Sequence, residues 1–150
     1  MKYSLRKATT EDIPHINDLF VEMLQTIYDK EDVNGYNDGD LDHYFSGSED
    51  WICVAETDGM IVAFLAIEVH REQENYIYYD DFSVSKNYRN KGIGTALINE
   101  AEKYSKSIGF ITTVLHVERG NTSARRFYEN KGFEVLQESE TRLCLIKHLQ

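Results

Sequence analysis

The sequence contains little cysteine, a single proline and no long hydrophobic run. Its two cysteines, Cys53 and Cys144, each lie in an apolar strand-like run with no second cysteine or histidine at ligand spacing. We therefore expect two core thiols, with neither a disulfide nor a metal site. The longest apolar run, residues 60–67, is too short to span a bilayer, and residues 1–12 lack the apolar centre of a signal peptide. We expect a cytoplasmic protein without a membrane partner.

Positive charge is also scarce, because 16 Lys and Arg stand against 26 Asp and Glu, for a net charge of -10. Residues 29–50, here called the acidic segment, hold eight acids and one Lys. Nucleic acid is an unsuitable partner because phosphate binding needs a basic face of some extent. A small cationic ligand fits this charge better. A solvated, mobile acidic loop is the alternative interpretation of the same run.

The order of patterns predicts one α/β domain over residues 1–150. A strand at 3–9 and a helix at 9–28 are followed by a short possible helix at 38–46. Strands at 51–57 and 60–70 flank an Asp-Gly turn, and a third strand covers 76–84. A helix from residue 93 stops at Gly109, and a strand at 110–117, a helix at 121–131 and further strand to 149 follow. This mixture predicts a single sheet covered by helices.

A glycine-containing stretch, YRNKGIG at residues 88–94, stands where the third strand gives way to a helix. It matches neither the P-loop, which needs four residues between its glycines, nor the dinucleotide fingerprint, which needs a third glycine. Successive backbone N–H groups from Asn90 to Gly94 can still converge on an anion at the helix start. Gly92 permits close approach, and Arg89 and Lys91 add positive charge. An ordinary glycine turn with incidental bases is the alternative.

Two longer stretches carry a resemblance to a known family. VSKNYRNKGIG, at residues 84–94, resembles the (Arg/Gln)-x-x-Gly-x-(Gly/Ala) signature of the GNAT superfamily of acetyl-CoA-dependent N-acetyltransferases. LHVERGNTSARRFYENKGFE, at 115–134, is similar to the second half of that family, and residues 6–19 resemble its opening strand and helix. The resemblance leaves only the acidic segment unmatched. It implies a bent mixed sheet with splayed central strands, in which acetyl-CoA is the co-substrate and no metal takes part.

The same resemblance implies where coenzyme A binds. Its diphosphate would lie on the glycine stretch, and its pantetheine arm would run between the splayed strands. Asn90 stands where the family often has glycine, and we expect that position to contribute mainly its backbone N–H. The implied cofactor-binding residues are Phe82, Val84, Arg89, Asn90, Lys91, Gly92, Ile93, Gly94, Thr95 and Asn121.

Acetyl transfer to an amine needs a proton acceptor for the amine and a proton donor for the departing sulfur. The resemblance implies that Tyr128 is the donor. Asp80 and Asp81 are the candidate acceptors, and only one should face the amine unless a β-bulge intervenes. Similarity to aminoglycoside N-acetyltransferases favours Asp81, whereas polyamine acetyltransferases have acids at both positions.

The predicted function is acetylation of a primary amine on a small cationic acceptor, aminoglycoside-like or polyamine-like. Tyr76, Tyr78 and Tyr79 could add aromatic faces for a cation. Two alternatives stay open: an acetyltransferase acting on a protein N-terminus or lysine, and a non-catalytic module that only binds acetyl-CoA. A homodimer is also left open.

Overall fold

A computed structural model describes residues 2–150, which form seven β-strands and three α-helices. The predicted order of elements is confirmed, and the possible helix at 38–46 is a single 3₁₀ turn, Asp42–Tyr44. The elements in chain order are β1 Ser4–Lys7, α1 Ile13–Tyr28, β2 Trp51–Thr57, β3 Met60–His70, β4 Tyr76–Val84, α2 Ile93–Ser107, β5 Thr112–Glu118, α3 Thr122–Asn130, β6 Glu134–Glu138 and β7 Arg142–His148.

The seven strands of the described chain form one open sheet in the order β1-β2-β3-β4-β5-β7-β6. β4 and β5 are parallel, whereas the other neighbouring pairs are antiparallel. A parallel pair needs a crossover, and α2 supplies it between the ends of these two strands. The predicted mixed α/β sheet is therefore confirmed.

β4 and β5 pair only over their first residues and then separate. Their pairing ends with Tyr79 opposite Leu115, although β4 continues to Val84 and β5 to Glu118. On its other side β4 stays paired with β3 as far as Val84. The central strands are therefore splayed, as expected, and the gap between them leaves the far end of β4 unpaired on its β5 side.

A β-bulge lies in β4 where the two strands separate. Tyr79 is opposite Ile67 and Phe82 is opposite Leu65, so the two residues between them, 80 and 81, face the single residue Ala66. A bulge of this kind shifts the alternation of side chains along the strand by one. Residues 80 and 81 can therefore point to the same face of the sheet.

The two faces of the sheet carry different cores. α2 and α3 pack on one face, with Leu97, Leu115 and Leu143 fully buried there. α1 and the acidic segment cover the other face, where Ile16 and Leu41 are buried. Most residues of the acidic segment are exposed, while Leu41 and Tyr44 are buried and attach it to the sheet. Within residues 2–150, no helix has the length and apolar character needed to cross a bilayer.

Candidate active site

A cleft of about 780 Å³ opens where β4 and β5 separate. It is lined by β4, β5, the start of α2, the inner side of α3 and the C-terminal half of α1. The cleft brings together the predicted site residues with the exception of Lys91, which is exposed and lies outside its lining. The predicted residues that line it are Asp80, Asp81, Phe82, Val84, Arg89, Asn90, Gly92, Ile93, Gly94, Thr95, Asn121 and Tyr128.

The glycine stretch enters α2 through two residues in the left-handed conformation. Asn90 has φ +61° and Gly92, the residue before the helix, has φ +84°. Asparagine tolerates this region better than other residues with a Cβ, which explains why it can stand where the family often has glycine. A Cβ added at Gly92 would meet no atom within 4 Å, so the space beside this backbone is open. The loop therefore presents free backbone at the positive end of α2.

Arg89 ties the loop to the end of β4. Its Nε donates a hydrogen bond to the Val84 carbonyl at 2.9 Å, which leaves that oxygen one further lone pair. The guanidinium is exposed, so its charge lies beside the loop. Gly94 is close to the other wall, because a Cβ there would lie 3.2 Å from Cζ of Phe82. Only glycine lets the first turn of α2 approach this ring without displacement.

Three carboxylates gather at the bulge. The Tyr36 hydroxyl donates to Oδ2 of Asp81 at 2.6 Å. The Tyr44 hydroxyl lies 3.0 Å from Oδ2 of Asp80 and 3.3 Å from Oε2 of Glu68. Tyr36 and Tyr44 both belong to the acidic segment, so the two aspartates point to the face that this segment covers. We expected only one aspartate to face the amine unless a β-bulge intervened. Because the bulge is present, both aspartates lie on the same face of the sheet.

The environment of Asp81 favours its protonated form. Burial raises the pKa of Asp81 from 3.8 to about 6, the nearby charges of Asp80 and Glu68 act in the same direction, and the hydrogen bond from Tyr36 opposes them. Burial, and next the charge of Asp81, raises the pKa of Tyr36. Burial, and next the charges of Asp80 and Glu68, raises the pKa of Tyr44. Both phenols therefore remain donors at neutral pH, while Asp81 can take up and release a proton.

Tyr128 lies on α3 among aromatic rings and is 9% exposed. Its ring centroid is 6.2 Å from that of Phe82, 5.5 Å from that of Phe127 and 5.6 Å from that of Phe133. Burial raises the pKa of Tyr128, and the charge of Asp81 adds to this effect. The phenol is therefore protonated at neutral pH and borders the cleft as a potential proton donor.

Asn121 begins α3 rather than lying within it. Its Oδ1 accepts a hydrogen bond from the Ala124 backbone N–H at 3.2 Å, which caps the helix. The side-chain amide Nδ2 carries two donors that this cap does not use. Asn121 and Tyr128 both line the cleft, as their spacing of two helical turns predicts.

The three tyrosines expected as cation-binding faces have different surroundings. Tyr79 is 3% exposed and its hydroxyl is buried without a hydrogen-bond partner in the described chain, so it offers no open face. Tyr76 stacks on His70 with ring centroids 4.6 Å apart. Tyr78 lines the cleft, and its hydroxyl is hydrogen-bonded to Nδ1 of His116 at 2.7 Å.

Sequence reasoning missed four residues of this region: Tyr36, Tyr44, Glu68 and His116. Burial, and next the charge of Arg142, lowers the pKa of His116, so this imidazole is neutral at physiological pH. No local motif marks these positions. For two of them a strand pattern could have served as a signal: Glu68 is an acid directly after eight apolar residues of β3, and His116 is a polar residue between the buried Leu115 and Val117.

Known proteins resemble this chain in sequence and in fold. An uncharacterised N-acetyltransferase of Methanocaldococcus jannaschii is 28% identical over 156 residues, covering 98% of this chain and 67% of the relative. The crystal structure of PaiA N-acetyltransferase from Thermoplasma acidophilum in complex with coenzyme A has a TM-score of 0.82 at 20% identity and covers 99% of both chains. Arabidopsis thaliana Naa50 in complex with the bisubstrate analogue CoA-Ac-MVNAL has a TM-score of 0.78 at 19% identity, covering 99% of this chain and 100% of that one.

These structural neighbours show the fold. The model of the acetyltransferase (GNAT) family matches residues 18–133. That match covers more than half of the chain and includes the glycine stretch, both aspartates of the bulge and Tyr128. The chain therefore belongs to the GNAT family of acetyl-CoA-dependent N-acetyltransferases.

Proposed function

We propose that the chain transfers the acetyl group of acetyl-CoA to a primary amine of a small cationic acceptor, aminoglycoside-like or polyamine-like. The observation that carries this proposal is the β4 bulge, because it turns Asp80 and Asp81 to one face beside Glu68. Asp80 and Asp81 line the cleft, and together with the nearby Glu68 they attract an ammonium group. They would repel an acceptor with a negative charge near its amine.

The other end of the cleft suits the cofactor. The diphosphate of coenzyme A would accept hydrogen bonds from the backbone N–H groups of residues 90–95, beside Arg89. The pantetheine arm would follow the unpaired side of β4 past Phe82 and Val84, and the Asn121 amide would reach it from α3. This arrangement leads the thioester towards the bulge.

The proposed reaction is a direct attack on the thioester. Asp81 accepts a proton from the amine, whose nitrogen lone pair then forms the C–N bond with the thioester carbonyl carbon. The C–S bond breaks, and the sulfur takes a proton from the Tyr128 hydroxyl. The acylated nitrogen loses its excess proton, which reaches Tyr128 through water, and Asp81 releases the first proton to solvent. A protonated amine thus yields the amide, the free thiol and one proton. A pKa of about 6 suits Asp81 to this role because the group is ionised at neutral pH and still basic.

A protein or peptide acceptor is the second candidate. It is supported by the similarity to Naa50, whose bisubstrate analogue carries the peptide MVNAL. In that case the acidic segment would dock a basic peptide. A non-catalytic acetyl-CoA-binding module is the weakest alternative, because both Asp81 and Tyr128 border the cleft.

A screen of acceptors separates these functions. Purified protein and acetyl-CoA would be incubated with spermidine, an aminoglycoside, free amino acids or basic peptides, and both thiol release and the acetylated product would be measured. We expect turnover with the polyamine or the aminoglycoside, unchanged by EDTA. Turnover restricted to peptides would favour the second candidate. Tight acetyl-CoA binding by calorimetry without thiol release for any amine would support the binding module.

A further inference from the structure

Two tyrosines of the acidic segment each hold one member of the aspartate pair. Tyr36 donates to Oδ2 of Asp81 and Tyr44 lies within hydrogen-bond distance of Oδ2 of Asp80. Asp81 follows Tyr36 by 45 positions in the chain, and Asp80 follows Tyr44 by 36 positions. In each aspartate the tyrosine contacts Oδ2, so this contact does not occupy Oδ1. The acidic segment therefore contributes its hydroxyl groups, and not only its charge, to the site.

Packing contacts restrain the rings that present these hydroxyls. Tyr44 is 2% exposed. The Tyr36 ring stacks on Phe20 of α1 with centroids 3.9 Å apart. The backbone N–H of Tyr36 donates to Oδ1 of Asn17 at 2.8 Å. A hydroxyl on a packed ring cannot follow a moving carboxylate, so the carboxylate takes its position from the ring.

The charges around the pair make such support necessary. Adjacent carboxylates repel one another, and a third acid on β3 strengthens the repulsion. Without donors, the pair would separate or take up protons. The titratable groups that face Asp81 are Asp80 on β4, Glu68 on β3, Tyr36 and Tyr44 of the acidic segment, and Tyr128 on α3.

We propose that Tyr36 and Tyr44 are positioning residues that hold the Asp81 and Asp80 carboxylates side by side at the acceptor end of the cleft. A cationic amine then meets a preformed pair of acids. This inference rests on the proposed function, since it takes Asp81 as the proton acceptor. It assigns a different part to each ring: Tyr36 acts on the proton acceptor and Tyr44 on the residue that attracts the ammonium.

The test uses Tyr36→Phe and Tyr44→Phe, which remove one hydroxyl each and retain the packed rings. In Tyr36→Phe the acidic limb of the kcat/KM profile should move to higher pH by about one pH unit, because a hydrogen bond to the ionised carboxylate is lost. In Tyr44→Phe the KM for the amine should rise about tenfold, with a smaller change in kcat. Both should bind acetyl-CoA as the wild type does.

Thr57→Val is the matched control. It removes a buried hydroxyl that donates to the Lys2 carbonyl at 2.7 Å on the β1 side of the sheet, outside the cleft lining. It should leave the pH profile and the amine KM unchanged. If either tyrosine variant had the pH profile and the amine KM of this control, the positioning role of that tyrosine would be refuted.

A second measurement does not depend on turnover. Titration of ¹³C-labelled aspartate carboxyl groups by NMR should show a higher Asp81 pKa in Tyr36→Phe than in the wild type. An unchanged Asp81 pKa would overturn the inference even if the variant were inactive. Wild-type turnover in Asp81→Asn would instead overturn the proposed function, so the two failures are distinct.

Discussion

Replacing Asp81 by asparagine removes the proposed proton acceptor and retains its size. With a pKa of about 6, the carboxyl is roughly 90% ionised at pH 7 and roughly 10% ionised at pH 5. Wild-type kcat/KM should therefore fall about tenfold between these two pH values. Asp81→Asn should lower kcat by about 10² to 10⁴, the usual contribution of a general base, and should lose this acidic limb.

The assay is the release of the coenzyme A thiol at saturating acetyl-CoA, with a series of amine concentrations from pH 5 to 8. Asp80→Asn is the control, because it removes a neighbouring charge without removing the proposed proton acceptor. It should weaken amine binding and retain the acidic limb, moved to lower pH because the Asp80 charge helps to raise the pKa of Asp81. An acidic limb near pH 6 that persisted in Asp81→Asn would refute the assignment of the base.

The same substitution should also change stability, with a sign fixed by the raised pKa. A carboxyl whose pKa is higher in the folded state stabilises the fold below about pH 4, and this contribution is lost as the pH rises through about 6. Ionised Asp81 therefore costs the native state on the order of 2 kcal/mol at pH 7, after allowance for partial exposure. Asp81→Asn should raise Tm at pH 7 by roughly 4 to 8 °C and give little change at pH 4. A lower Tm at pH 7 would contradict the raised pKa.

Three further substitutions test separate parts of the site. Tyr128→Phe should lower kcat by roughly 10² while the calorimetric Kd for acetyl-CoA stays within about twofold, because only the proton donor is lost. Gly92→Ala should raise that Kd at least about tenfold. Gly59→Ala is the control, because Gly59 is a turn glycine with a similar positive φ. It should impose the same backbone strain of about 1 to 2 kcal/mol and leave the Kd for acetyl-CoA unchanged. Gly35→Ala would make a Cβ collide with Oδ1 of Asn17, so Tm should fall and the amine KM should rise with acetyl-CoA binding intact. An unchanged KM would separate the acidic segment from acceptor recognition.

The elements that sequence patterns predicted best are those with strong local signals. β2, β3 and β4 have the predicted bounds. The turn between β2 and β3 is the Asp-Gly turn that the sequence indicated, and both of its residues adopt positive φ. Glycines and a helix start likewise identified the loop before α2. Each of these features is set by neighbouring residues along the chain, so a single sequence contains the information.

The acceptor end of the site could be predicted only in part. The sequence shows two adjacent aspartates, but not that two residues of β4 lie opposite Ala66 of β3. The contacts of Tyr36 and Tyr44 with these acids join distant parts of the chain, and the acidic segment has no apolar period that would predict its packing. Its high charge favours a solvated loop, and most of its residues are indeed exposed, whereas Leu41 and Tyr44 are buried against the sheet.

The most direct test of the central claim is a crystal structure of the chain with acetyl-CoA. We predict that the diphosphate lies within hydrogen-bond distance of the backbone N–H groups of residues 90–95 and that the thioester lies between β4 and β5, next to Tyr128 and Asp81. A diphosphate bound away from Gly92, or a thioester outside the gap between these strands, would contradict the account.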